Sequence, residues 1–270
     1  MNILVPTDIT TISLNALQYS LKRFPGANHT VLHVISGITN VKYPYHLQTG
    51  LNYDKAIEQE LEELLLHHFQ MDQLPKNVSV KVVYGEPVKS IVDFAETINA
   101  DAIVVGNRDN HDQIDKLFGT ISLGVIKTSS IPVFAIPKFG KYKGDRKILV
   151  GSNSKIDDED VFTQIDYWNS SNAQVNFVHV KDEASNLEFT RTKEAIIDHI
   201  HEGKRPMFTY TIEQIESKKI GSGLLSKAYN DKVDLLVVVS SKSNLIESLL
   251  IKSTSKDILL KAKIPVLFLH

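Results

Sequence analysis

The stretch DAIVVGNRDNHDQIDKLFGTISLGVIKTSSIPVFAIP, residues 101–137, decides the fold of this chain. One apolar run ends on Gly106, a segment with helical periodicity begins at Gly119-Thr120, and a second apolar run, Pro132–Ile136, follows. Two short apolar runs on either side of such a segment predict a buried parallel β-α-β unit. Glycine permits close backbone approach, and a helix N-terminus attracts anions. The stretch therefore predicts a doubly wound α/β sheet with a phosphate-binding site.

The rest of the chain repeats this pattern in order. Ile148-Leu149-Val150 matches Ile3-Leu4-Val5, and Ile264-Pro265-Val266 matches Ile131-Pro132-Val133. Two more matches lie between these, which pair Phe177–Val180 with Val31–Val34 and Val233–Val238 with Ala100–Val105. Four matches in one order indicate a tandem duplication. We predict two domains, 1–138 and 146–270, each with a five-stranded parallel sheet in the order 3-2-1-4-5. A basic, glycine-containing segment, 138–147, is predicted to link them.

Composition narrows the class of protein. A chain of 270 residues is long enough for two domains with their own cores. A net charge of −2 gives no electrostatic case for a nucleic-acid or membrane partner. The absence of cysteine excludes disulfides and thiolate chemistry and is typical of a reducing compartment. No apolar run approaches the ~20 residues that a membrane-spanning helix needs. We therefore expect a cytoplasmic protein.

The candidate site lies where the strand order changes direction. In doubly wound sheets ligands bind beyond the carboxyl ends of the strands at this point, and Asp8 and Gly106 follow strands one and four. Two simpler roles stay open, because Asp8 could cap the helix that begins near Thr10, and the glycines could serve tight turns. His33 and His179 occupy equivalent strand positions and are interpreted as core or cleft-edge residues rather than metal ligands. No catalytic motif is present, so an enzyme is not expected.

These residues resemble the universal stress protein family in its tandem two-domain form. The resemblance rests on ILVPTD at 3–8, on YGEP at 84–87 and on the spacing of the nucleotide signature G-x2-G-x9-G-[S/T]. It implies the adenine-nucleotide α-hydrolase-like form of the doubly wound fold and, in a subset of members, binding of ATP or AMP. It also implies pairing through the fifth strands, which here would join the two halves as an intramolecular pseudo-dimer. A homodimer of whole chains stays open.

The resemblance assigns roles to individual residues of the first half. It places Asp8 at the adenosine end, and the phosphates and ribose against the signature residues. The cofactor-binding prediction comprises Pro6 and Val34 in the adenine slot, with Asp8, Gly106, Asp109, Gly119 and Thr120. Asp109 replaces the second glycine of the signature. A carboxylate about 4 Å from a phosphate charge costs up to ~4 kcal/mol, against roughly 8 kcal/mol for micromolar binding. Mg²⁺ between the two charges would offset this repulsion.

The second half departs further from the signature. Val239 replaces Gly106, Lys252-Ser253 replaces Gly119-Thr120, and Asn153 stands where Asp8 does. Side chains at positions that need backbone approach predict that no such site exists there. The sequence thus favours a stress-response protein with adenine nucleotide as a regulatory ligand of the first half. The alternative is a nucleotide-free interaction or scaffold protein built on the same fold.

Overall fold

The computed structural model describes most of both halves of the chain. The described residues are 1–36, 53–107, 120–152, 159–169, 173–181, 190, 193–194, 208–239, 254 and 256–269. The sequence also predicts a long loop at 37–53, which lies outside the described residues apart from Tyr53. Within the described ranges no helix combines the length and the apolar character needed to cross a bilayer.

Strands and helices alternate through the first half, as the apolar runs and helical periods predicted. In chain order the elements are β1 (Asn2–Pro6), α1 (Thr11–Arg23), β2 (Asn28–Ile35), α2 (Tyr53–Phe69), β3 (Val78–Tyr84), α3 (Pro87–Thr97), β4 (Ala102–Asn107), α4 (Thr120–Thr128) and β5 (Val133–Pro137).

The second half repeats this order. Its described elements are β6 (Lys147–Ser152), α5 (Glu159–Trp168), β7 (Gln174–Lys181), β8 (Tyr210–Glu216), α6 (Ile220–Asn230), β9 (Leu235–Val239) and β10 (Val266–Leu269). Residues 256–261 are helical and precede β10 as α4 precedes β5.

All ten strands form one sheet in the order β3-β2-β1-β4-β5-β10-β9-β6-β7-β8. Within each half the strands are parallel and follow the order 3-2-1-4-5, which confirms the predicted fold class. The two fifth strands, β5 and β10, pair with each other in antiparallel register, with Phe134 opposite Leu267. The second half therefore continues the sheet of the first with its strands reversed.

Two apolar layers cover the faces of the sheet, and strand alternation divides residues between them. In β1, Ile3 and Val5 belong to the cluster that contains the inner faces of α1 and α2. Leu4, between them, belongs to the cluster that contains α3 and α4. All three side chains are fully buried. This two-sided burial explains why the strands appear in the sequence as continuous apolar runs.

The linker between the halves is packed against the first half. Its first turn closes through a hydrogen bond from the Gly140 amide to the Pro137 carbonyl at 2.8 Å. Asn15 of α1 donates to the same Pro137 carbonyl and to that of Gly140, at 3.1 and 2.9 Å. Further along, the ring of Tyr142 packs edge-on against Tyr19 at 5.7 Å between centroids. Helix α1 therefore fixes the path of the linker.

A buried arginine joins the linker to the second half. Arg23 forms an ion pair with Asp145, and both side chains are at most 2% exposed. Its guanidinium also donates to the Trp168 carbonyl of α5 at 2.8 Å and lies 5.1 Å from the ring centroid of Phe134. The rings of Phe134 and Trp168 pack edge-on at 5.3 Å. One side chain of α1 thus contacts the fifth strand, the linker and the second half.

Candidate functional site

The turn after β1 is held by its own polar side chains. The Thr10 hydroxyl caps α1 by accepting from the Ser13 amide. One oxygen of Asp8 accepts from the Thr10 amide at 3.2 Å and from the Thr10 hydroxyl at 2.6 Å. Thr10, rather than Asp8, is therefore the capping residue, and Asp8 fixes the cap. Asp8 is exposed to solvent, so its carboxylate also faces the space beyond the strand end.

Ile9, in the middle of this turn, has a backbone conformation that the sequence did not predict. Its φ angle is +62°, which a β-branched residue rarely adopts. The Ile9 amide donates to the Thr7 hydroxyl at 3.0 Å, and the Ile9 side chain packs against the apolar cluster under α1. Strained backbone of this kind persists only where neighbouring contacts fix it, and it is common at binding sites.

Gly106 lies at the end of β4, next to β1 at the change in strand order. A Cβ atom built on Gly106 would lie 2.9 Å from the carbonyl oxygen of Ile12 in α1. The missing side chain therefore lets α1 approach the sheet. The Gly106 carbonyl accepts a hydrogen bond from the Ser122 hydroxyl at 2.9 Å, which ties the first turn of α4 to the same strand end. Gly106 thus has a packing role, which the sequence analysis missed.

Pro6 and Val34 lie on one face of the sheet, as an adenine slot requires. Pro6 is opposite Leu32 in the register of β1 and β2, and Val34 follows Leu32 by two residues. Residues two apart in a strand share a face. Pro6 and Val34 are both half-buried, and Val34 packs against the cluster under α3 and α4. The two side chains border the edge of the sheet at which Gly106 also lies.

Two helices start at this edge of the sheet. The carboxylate of Glu86 caps α3, accepting from the amides of Val88 and Lys89 at 3.1 and 2.7 Å. Helix α4 begins at Thr120. Asp109 and Gly119 lie outside the described residues, so of the predicted site the structure brings together Pro6, Asp8, Val34, Gly106 and the backbone of Thr120. These residues end or follow β1, β2 and β4 or begin α4.

The two equivalent histidines are at the positions expected for core or cleft-edge residues. The Nδ1 atom of His33 lies 2.9 Å from the Thr7 carbonyl, at the rim of the candidate site. His179 in β7 is 3% exposed. Among the described residues no three histidine or carboxylate side chains are grouped as a metal site would require.

The second half differs from the first at the position of Pro6, because Pro6 is half-buried and its equivalent, Gly151, is buried. Gly151 occupies the position of Pro6, and a Cβ atom there would lie 2.5 Å from Leu224 of α6. Val239, at the position of Gly106, is buried in β9. The other substituted positions, Asn153, Lys242 and Lys252-Ser253, lie outside the described residues. Leu224 therefore packs against the residue that is equivalent to Pro6.

Comparison with known proteins agrees with this architecture. The family model described as "Universal stress protein family" matches residues 1–137 and again 146–270. Universal stress protein G of Shigella flexneri is 26% identical over 141 residues, which cover 50% of this chain and 96% of that protein. Stress response protein NhaX of Bacillus subtilis is 26% identical over 105 residues, 38% of this chain and 63% of that protein. These relatives each match about half of the chain or less.

Among solved structures, a universal stress protein from Archaeoglobus fulgidus covers both halves. It has a TM-score of 0.65 and 17% sequence identity, and the match spans 100% of this chain and 96% of that one. At this identity the likeness concerns the fold alone. The doubly wound halves, the order of their strands and the two matches to the family model lead to one conclusion. The chain belongs to the universal stress protein family and carries the family's domain twice in tandem.

Proposed function

We propose that this chain is a stress-response protein of the cytoplasm whose first half binds one adenine nucleotide, AMP or ATP, as a regulatory ligand and not as a substrate. The observation that carries the proposal is the meeting of the Asp8 turn, Gly106 and the start of α4 at the change in strand order. Membership of the universal stress protein family supports the stress-response role.

The described residues suit the parts of a nucleotide. The half-buried apolar side chains of Pro6 and Val34 would contact the flat face of adenine, and the exposed Asp8 carboxylate would accept from a ribose hydroxyl. The phosphates would lie near the first turn of α4, where backbone amides are unpaired by helix geometry. Asp109 occupies the second position of the signature, after Gly106, and its negative charge would repel a highly charged ligand. We therefore expect AMP to bind at least as well as ATP without Mg²⁺, and Mg²⁺ to favour ATP.

One nucleotide per chain is expected, because Val239 and Lys252 replace two glycines of the signature in the second half. Isothermal titration with AMP and ATP, with and without Mg²⁺, should give a stoichiometry of one, and native mass spectrometry should find the same ratio in the purified protein. No heat at high micromolar protein would contradict the proposal and leave the nucleotide-free scaffold as the better account.

Asp109→Gly restores the glycine of the signature, so it should tighten ATP binding in the absence of Mg²⁺. Removal of even half of the ~4 kcal/mol repulsion corresponds to roughly 30-fold. Lys242→Gly changes the equivalent position of the second half and should leave the affinity unchanged. Equal affinities for Asp109→Gly and the unmodified protein would mean that the Asp109 side chain faces away from the phosphates.

The regulatory part of the proposal has its own test. Asp8→Asn keeps an oxygen acceptor for Thr10 while it removes the charge, so the turn should stay intact. We expect no phosphate release from ATP above background with either protein. Turnover that Asp8→Asn abolishes would show an enzyme instead.

A further inference from the structure

We propose that a small cleft beside the linker binds a phosphate group, at a site separate from the nucleotide site proposed above. The cleft has a volume of about 210 Å³ and lies between the linker, Tyr19 of α1 and the loop that precedes β10. Lysine residues 141, 143 and 263 all contribute to its lining. The linker is thus one wall of a binding site as well as a connection.

Anchors on the linker hold two of these lysines side by side. Tyr142 packs against Tyr19, and Asp145 forms the buried ion pair with Arg23. Lys141 and Lys143, on either side of Tyr142, are exposed. Because the residues between and after them are fixed by packing, the two ammonium groups are presented from a segment with little freedom. Ordering these lysines on binding therefore costs less backbone entropy than it would in a loose loop.

The third lysine comes from the second half. The Lys263 amide donates to the Tyr229 hydroxyl at 2.9 Å, and that hydroxyl donates to the Lys261 carbonyl at 2.8 Å. The backbone at Lys263 is thus fixed by α6, while its side chain is exposed at the cleft. Three lysines from two parts of the chain thus line one small cavity.

The carboxylates that line the cleft already have partners. Asp145 is paired with Arg23, and one oxygen of Asp234 accepts from the amides of Arg146 and Lys147, each at 3.0 Å. Within the described part of the chain, lysines 141, 143 and 263 form no ion pair with any carboxylate. The lining therefore carries an excess of positive charge that an anion from solution would neutralise.

Size and charge together select a phosphate group. Pockets for drug-sized ligands have volumes of roughly 300–1,000 Å³, so a whole nucleotide would not be enclosed. A tetrahedral dianion fits the volume, and lysine ammonium groups bind phosphate as point charges. The ligand is inorganic phosphate or the phosphate of a small phosphomonoester.

The test is isothermal titration calorimetry with inorganic phosphate in buffer of low ionic strength. Lys141→Ser/Lys143→Ser should weaken saturable binding by about tenfold or more, since each exposed contact at ~4 Å is worth several-fold in affinity. Lys76→Ser/Lys127→Ser removes the same charge from exposed lysines that do not line the cleft, and should change the affinity less than about twofold. Lys263→Ser should weaken binding on its own.

A second arm uses glycerol phosphate to identify the source of the phosphate. Tighter binding than that of inorganic phosphate would identify a phosphomonoester, and equal binding would identify the free ion. Lys141→Ser/Lys143→Ser should leave the affinity for AMP unchanged, which separates this site from the nucleotide site. All of the substituted lysines are exposed, so circular dichroism should show intact folds. Binding that does not saturate, or equal weakening by the two double variants, would overturn the proposal.

Discussion

Gly106 ends β4 beside the first turn of α1, and no larger residue fits there. The nearest atoms to an added Cβ include the backbone carbonyl carbon and oxygen of Ile12, at 3.0 and 2.9 Å. Backbone atoms cannot rotate away as a flexible side chain can, so the helix itself would have to shift. The packing of α1 is therefore sensitive to this position whether or not a ligand is bound.

We predict that Gly106→Ala lowers the free energy of unfolding by about 1–3 kcal/mol without any nucleotide present, because overpacking forces the helix from the sheet. Urea denaturation measures this change. Gly26→Ala is the matched control, since an added Cβ there has no atom within 4 Å and should leave the midpoint nearly unchanged. An unaltered midpoint for Gly106→Ala would contradict the packing role and leave ligand approach as the reason for the glycine.

The burial of His29 predicts that the free energy of unfolding depends on pH. It lies in β2 and is 1% exposed. Burial lowers the pKa of His29 below its ordinary value, with the backbone near Ser20 and Ala27 acting in the opposite direction. The unfolded chain takes up a proton near pH 6.5 while the folded chain does not. The stability due to neutral His29 is therefore complete above about pH 6.5 and decreases as the pH falls toward the lower pKa of the folded state.

His29→Val tests this dependence, because the second half has Val175 at the equivalent position. The variant should lose less stability than the unmodified protein between roughly pH 6.5 and pH 5, as measured by thermal melts across that range. His67→Ala, on the exposed side of α2, should retain the original slope. Parallel pH profiles for His29→Val and the unmodified protein would show that other groups cause the acid sensitivity.

At the scale of elements, the helix at 256–261 is completed by the first half of the chain. Asn107, at the end of β4 and 2% exposed, donates from its side-chain amide to the Leu259 carbonyl at 2.6 Å. The Lys263 amide, four residues after Leu259, donates to Tyr229 instead. The last carbonyls of a helix need such external donors. Asn107 therefore caps a helix of the other half.

Asn107→Ala should leave the Leu259 carbonyl buried without this donor, at a cost of about 1–3 kcal/mol in the free energy of unfolding. Hydrogen exchange should show faster exchange in 258–262 and in β10, with β2 unchanged. Asn28→Ala removes an exposed side-chain bond at 3.2 Å and should have a much smaller effect. Uniform acceleration over the whole chain would indicate global destabilisation and not a local cap.

The equivalent helix pairs of the two halves are packed by opposite choices of residue. In the first half Val88 of α3 packs against Gly124 of α4, where an added Cβ would lie 2.6 Å from it. In the second half Gly221 takes the position of Val88, and Asp257 takes that of Gly124. Asp257 accepts from Ser222 at 3.0 Å and pairs with Lys261 at 2.5 Å. The larger residue of the pair is on α3 in the first half and on the helix at 256–261 in the second. In both halves a glycine on the other helix therefore lets the two helices approach each other closely.

Local sequence patterns predicted the helices and strands but not the contacts between residues that are distant in the chain. The apolar runs of β1 and β4 each lie within a few residues, so their pattern identified them as strands. Asp101 and Asp234 are equivalent in the repeat. Asp101 accepts a hydrogen bond from the Asn2 amide at the start of β1, and Asp234 accepts one from the Lys147 amide at the start of β6. The contact of Gly106 with Ile12 and the cap from Asn107 join residues far apart in sequence, where no local pattern records them.

At the scale of the whole molecule, a buried ion pair contributes to the junction between the halves. Arg23 and Asp145 are almost fully removed from water, and Arg23 also contacts Trp168 of the second half. Because removal of one partner leaves the other charge buried and unpaired, Arg23→Met and Asp145→Leu should each cost about 3–5 kcal/mol. The double variant should cost far less than the sum, as measured by urea denaturation. Additive losses would mean that the two charges do not depend on each other.

The sequence repeat predicted two similar halves, and the resemblance predicted pairing through their fifth strands. The linker illustrates what composition could not predict. Lys138 to Lys147 appears polar and basic, yet Tyr142 and Asp145 within it are directed into the protein by contacts with Tyr19 and Arg23. Those partners lie more than a hundred residues earlier in the chain. Their role becomes visible only when α1 packs beside β5.

The antiparallel pairing of β5 with β10 has a consequence for how this molecule can evolve. In an assembly of two identical subunits, every substitution is present on both sides of the symmetry axis and must be tolerated twice. Here the two sides are encoded separately, so Leu224 packs against Gly151 in the second half while the equivalent residue of the first half is a half-buried proline, Pro6. A substitution in one half therefore need not be tolerated by the other, and the two halves can differ in sequence at equivalent positions.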